Sequence, residues 1–206
     1  YAAERGATIA QCSWGWGSAD YKEQSVLDAI DYFTDAARSE NMNGGLCIFA
    51  AGNDGATGNW YPGCYEPVVA VAAMGDDLTP TTYSNYGEWV DVVAPGGLLD
   101  YGDAHGILST LPDNSYGFSE GTSMATPAVA GAIALWLEAD PTLTIDEVKE
   151  IAITTAVSDS YVAAGDPVQW GAGKFDAYAG LKEVIRRAGI ESTIIDNTRL
   201  MIAEKG

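Results

Sequence analysis

Two short strings place polar side chains where chemistry could use them. They are Gly121-Thr122-Ser123-Met124-Ala125-Thr126-Pro127 and Ala50-Ala51-Gly52-Asn53-Asp54-Gly55. Ser123 opens an apolar run that reads as a helix ending near Asp140-Pro141. A hydroxyl at a helix start stands beside amides that favour developing negative charge. It attacks a carbonyl only when a base takes its proton. A serine there more often simply caps the helix, so the wider pattern must decide. Pro127 is expected in the first turn, where no amide donor is needed. The small residues Ala125, Ala128, Ala130, Gly131, Ala132 and Ala134 would let this helix run close to a sheet. The elbow G-x-S-x-G is a near miss, because position 125 is Ala rather than Gly.

The elements that must hold these groups can be read from periodicity. Ala7 to Ser13 reads as a buried strand, and Glu23 to Arg38 as a helix with Val26, Ile30, Phe33 and Ala37 on one side. Leu46 to Ala51 is apolar throughout, as in a strand covered on both faces. Strand, helix, strand in that order predicts a parallel α/β sheet, with Asn53 at a strand's carboxyl end, where such sheets bind ligands. By itself Asn53 would pass for a turn residue. Val68 to Ala73, Val90 to Ala94 and Ile107 to Leu111 are further strand candidates. Thr144-Ile145-Asp146-Glu147 has the form of a capping box, and a last helix is expected over about 175–188. Tyr1 to Ala7 reads as helix-end residues with a Gly6 stop.

Gly121 to Pro127, followed by Val129-Ala130-Gly131, closely resembles the serine motif of the subtilisin-like proteases, the subtilase or peptidase S8 family. The Asn53 string is similar to that family's oxyanion motif. Ser13-Trp14-Gly15, Tyr61-Pro62-Gly63, Val92 to Gly96, Ser109 to Pro112 and Gly171 to Ala177 follow in the family's order. The resemblance implies a three-layer α/β fold with a mainly parallel sheet, and a serine endopeptidase needing no cofactor for its chemistry. It makes Ser123 and Asn53 catalytic, and gives substrate contacts to Ser13, Trp14, Gly15, Ala50, Ala51, Gly52 and Trp60. Trp60, at the floor of the pocket for the residue before the cut bond, would shrink that pocket. Trp14 would be either an aromatic wall of the cleft or core. The carbonyls of Gly63, Tyr65 and Val68 with the carboxylate of Asp91 match a weak site for structural calcium in some members.

The resemblance also exposes a gap. The triad needs an Asp and a His, and the family supplies both upstream of the first strand read here. The only histidine is His105, which follows Asn53 and sits in a Gly-rich acidic insertion, so it is expected to be a loop residue. Residues 1–189 are therefore read as the C-terminal portion of a peptidase domain, and 190–206 as a tail. The N-terminal half is expected as a bound second chain; an inactive fragment that binds peptides or partners is the alternative. A peptide or protein substrate is implied, at a secreted or cell-surface location. The net charge of −19 argues against nucleic acid as a partner, and no segment is apolar enough to span a membrane. Cys12, Cys47 and Cys64 fit no zinc spacing and are either free thiols or one disulfide and a free thiol.

Overall fold

The protein is described here from a computed structural model that covers residues 1–36, 38–39 and 42–189; the tail assigned to 190–206 lies outside the described residues. The centre is a four-stranded sheet of β1 (Ile9–Cys12), β4 (Leu46–Ala50), β5 (Val69–Met74) and β6 (Val92–Pro95), in that spatial order and all parallel. Helix α1 (Gln24–Ala36) makes the crossover from β1, and a short ribbon of β2 (Arg38–Ser39) and β3 (Met42–Asn43) returns the chain to β4. The predicted helix thus stops two residues short of Arg38, where the ribbon begins.

Helix α2 (Thr122–Ala139), with α3 (Ile145–Thr154) and α6 (Ala177–Arg187), covers one face of the sheet. Val129, Ile133 and Trp136 pack there against Leu46, Ile48, Val69, Val71 and Val92. On the other face, α1 lays Leu27, Ile30 and Phe33 over Cys47 and Phe49. The short helices α4 (Ser160–Ala164) and α5 (Pro167–Trp170), which periodicity did not reveal, bring Trp170 and Val162 over Ala72, Met74 and Val93. Apolar runs buried on both sides account for the continuous patterns of β4 and β5. Thr144 and Glu147 form the expected capping box.

Ile107–Leu111 (β7) is a strand but not a member of the central sheet. It pairs antiparallel with β8 (Ser115–Ser119) in a hairpin that leads into α2. The turn places Asp113 and Asn114 at φ 62° and 55°, a region these two side chains tolerate better than most. Of the small residues in α2, Ala125 and Ala130 are buried against the sheet, whereas Ala128, Gly131 and Ala134 face outward. Close approach to the sheet explains only the first two.

Candidate active site

Parallel strands deliver their carboxyl ends to one edge. Residues 13–17 after β1, and Ala50 and 52–54 at the end of β4, therefore meet the N-terminus of α2 and line a cleft of about 300 Å³. Ser123, second residue of α2 and half-buried, lies in it with Ser13, Trp14, Gly15, Ala50, Gly52, Asn53 and Thr122.

Asn53 is held by its carbonyl end. Its Oδ1 accepts from the Thr122 backbone N–H at 2.9 Å and from Thr122 Oγ1 at 2.8 Å. A backbone amide can only donate, so the side-chain orientation is fixed and Nδ2 is left as a donor for a ligand. The amides of Met124 and Ala125 return to the Gly121 carbonyl, and that of Thr122 goes to Asn53. The Ser123 N–H is free of such a commitment. Ser123 N–H and Asn53 Nδ2 are thus two donors at the cleft without a hydrogen-bond partner among the described residues.

Asn85, which sequence reasoning missed, shapes the loop that carries Asn53. It is fully buried. Its Oδ1 accepts from the amides of Asp54 (2.9 Å) and Ala56 (3.2 Å), and its Nδ2 donates to the Ala51 carbonyl (3.2 Å). Gly52 lies against it at φ 102°, and a Cβ there would fall 2.3 Å from Asn85 Nδ2. Asn85 sits in the polar stretch Thr81-Thr82-Tyr83-Ser84-Asn85-Tyr86, which offers no periodic signal; only the fold shows what it holds.

Pro127 lies in the second turn of α2, not the first. Its missing N–H would have bonded the carbonyl four residues back, which is that of Ser123. Ser13 Oγ donates to that carbonyl instead, at 2.7 Å, and Ser123 Oγ donates to the Ser13 carbonyl at 3.4 Å. The residue that follows β1 and Ser123 are therefore joined by two reciprocal bonds.

Trp14 is 46% exposed and meets Phe49 and Trp16 edge-on, with ring centroids at 5.2 and 6.0 Å. That makes it wall rather than core. Ala51 is buried beneath the cleft, and its amide bonds the Val71 carbonyl across β5. Trp60 is buried at the start of the loop with the cis Tyr61-Pro62 bond and does not line the cleft itself. Its loop reaches the cleft wall through the Trp16 N–H, which donates to the Tyr61 carbonyl at 3.3 Å. His105 is outside the cleft, half-exposed, with Nδ1 2.6 Å from Asp76 Oδ2. Among the described residues no imidazole reaches Ser123.

The calcium expectation meets an occupant. Lys149 Nζ donates to the carbonyls of Val68 (2.8 Å) and Glu66 (3.0 Å) and lies 3.4 Å from Asp91 Oδ2. The Tyr65 carbonyl accepts the Val68 N–H at 3.1 Å. Calcium requires six to eight oxygens at about 2.3–2.6 Å, and two of the four expected ligands, the Val68 carbonyl and Asp91, already face this ammonium. These groups do not fit the ion while Lys149 is in place. The described residues contain no cluster of three or more His, Cys, Asp or Glu that could hold a metal.

All three cysteines are free. Burial pushes the Cys47 thiol up to about 12 and the Cys64 thiol up to about 11, so neither is a ready nucleophile.

A serine hydroxyl at a helix start and two amide donors meet at the strand ends of a parallel α/β sheet, an arrangement suited to nucleophilic chemistry on a carbonyl. The chain belongs to the subtilase family, whose sequence model matches residues 1–183. It is 34% identical over 184 residues to alkaline elastase YaB from Bacillus sp. (strain YaB), covering 88% of this chain and 42% of that protein. To the thermophilic serine proteinase of Bacillus sp. (strain AK1) it is 38% identical over 135 residues, 66% of this chain and 29% of the other. A solved protease of Pseudoalteromonas arctica PAMC 21717 superposes with a TM-score of 0.71 at 36% identity, covering 85% of this chain and 51% of that one. The chain thus spans less than half the length of these two curated relatives.

Proposed function

We propose that this chain is the nucleophile-bearing part of a serine endopeptidase. Ser123 Oγ attacks the peptide carbonyl carbon, and its proton passes to an imidazole. The oxyanion is held by Ser123 N–H and Asn53 Nδ2. The imidazole then returns the proton to the leaving amine, and water hydrolyses the acyl-enzyme. The imidazole and its orienting carboxylate come from a segment outside this chain, bound as a second polypeptide or joined as the N-terminal half of the same domain. The convergence of Ser123 with an orientation-locked Asn53 carries this reading.

The chemistry needs no cofactor. The substrate is a peptide or protein, its backbone laid along residues 13–15 and 50–52. Trp60 lies buried behind the cleft rather than lining it, so a preference for small or medium residues before the cut bond rests on the resemblance alone. Efficient cleavage after Phe or Tyr in a peptide library would refute that preference. Extracellular relatives such as the halolysin-like extracellular serine protease Nep of Natrialba magadii support a secreted or cell-surface location.

The absence of an imidazole from the cleft favours a second reading for the chain alone, a subtilisin-like module that binds peptides without cutting them. A fluorophosphonate probe separates the two. Covalent labelling of Ser123 in the full protein supports the peptidase; peptide binding with no labelling supports the inactive module.

A further inference from the structure

We infer that Lys149 is a built-in replacement for a bound cation: its ammonium clamps the loop 63–68 to the sheet and makes that loop independent of calcium. Three acceptors converge on one Nζ: the carbonyls of Glu66 and Val68 and the carboxylate of Asp91. Asp91 is itself fixed, buried just before β6 with Oδ2 accepting the Ala70 N–H of β5 at 2.8 Å. Lys149 comes from α3, whose capping box and buried Val148, Ile151 and Ala152 hold the helix against the core. Its stem spans from that helix to the loop, and three-quarters of its side chain is out of water.

A carboxylate taken out of water needs a partner charge, and inward-pointing carbonyls need a donor or a cation. The ammonium answers both needs with a charge that cannot diffuse away. Dilution and chelators remove a bound metal; they do not remove a lysine. The clamped loop continues back to Tyr61, whose carbonyl holds the cleft wall at Trp16. Order in the cleft is thereby tied to α3 rather than to an ion.

Thermal unfolding of the full protein in EDTA and in calcium chloride tests this, with Lys149→Met preserving stem length without charge. In EDTA the variant should melt roughly 5 °C below the parent. Added calcium should restore part of that loss in a saturable way, beyond any response of the parent, and the double variant Lys149→Met/Asp91→Asn should lose this extra response. An unchanged melting temperature in EDTA would overturn the clamp. A loss that calcium never repairs beyond the parent's own response would overturn the replacement. Should the variant fail to fold, hydrogen exchange on the parent decides. Amides of 63–68 that exchange equally in EDTA and calcium support the inference, and slowing by calcium overturns it.

Discussion

β1 and β4 are neighbours in register, both largely apolar, and they end differently. Every residue of β4 is buried. In β1, Ile9, Ala10 and Cys12 are only half-buried and Gln11 is exposed. β4 has strands on both sides, α2 beneath and α1 above. β1 is one edge of the sheet, and beside it an apolar hollow of about 380 Å³ runs between Cys12, Trp14, Phe33 and Phe49. Covered strands carry stability. An open parallel edge with apolar side chains is a surface that other chains pair with. On the proposed function, the His-bearing segment would lie along β1, whose end leads into Ser13 and so to Ser123.

The largest effect that would sharpen this contrast concerns Ser123. Adding the His-bearing segment should speed its fluorophosphonate labelling by about 10³-fold, the usual contribution of a general base. Equal labelling without it would mean that the chain needs nothing along β1. In the complete enzyme, Asn53→Ala should lower kcat about 10²–10³-fold with little change in KM, the loss known for the equivalent donor in a subtilisin. Steady-state kinetics on a peptide substrate checks it.

The third test compares the strands directly. Ile48→Ala, on sealed β4, should cost about 2–5 kcal/mol in denaturant unfolding. Ile9→Ala should cost clearly less in the chain alone and more when the second segment is bound. Equal losses in the chain alone would abolish the contrast. Ser13→Ala removes one hydrogen bond to the Ser123 carbonyl, worth about 1 kcal/mol, so kcat should fall about fivefold while Ser13→Thr recovers most of it. Smallest is a labelling difference. Cys12, which lines the hollow, should be alkylated several-fold faster than buried Cys47, and binding of the missing segment should erase that lead. Mass spectrometry of the labelled peptides reads both.

Much of the central architecture was legible because its signals are local. Apolar runs gave β1, β4, β5 and β6 to within two residues or so, and Thr144 with Glu147 announced α3. The openness of β1 followed only from the missing upstream half: the pattern of Ala7 to Ser13 itself reads as buried, because a strand's side chains look alike whether or not a neighbour covers them. At the site, the motifs singled out Ser123 and Asn53. Asn85 stayed hidden because its role depends on a loop folding over it, and Pro127 was placed a turn too early because sequence spacing does not reveal where a helix begins. Lys149 was invisible for a third reason. It lies more than eighty residues from the carbonyls it binds, and nothing but tertiary structure joins them.

The pair of bonds between Ser13 and Ser123 makes a mechanical linkage. A proline removes one rung from α2, and the substrate strand supplies it from outside, so the helix start and the strand end behave as one lever arm. On the proposed function, a peptide laid against residues 13–15 would load the same piece of chain that holds the Ser123 carbonyl. The two hydrogen bonds would couple that load to the Ser123 hydroxyl. A longer substrate that grips the strand more firmly should therefore steady Ser123 as well as bind more tightly.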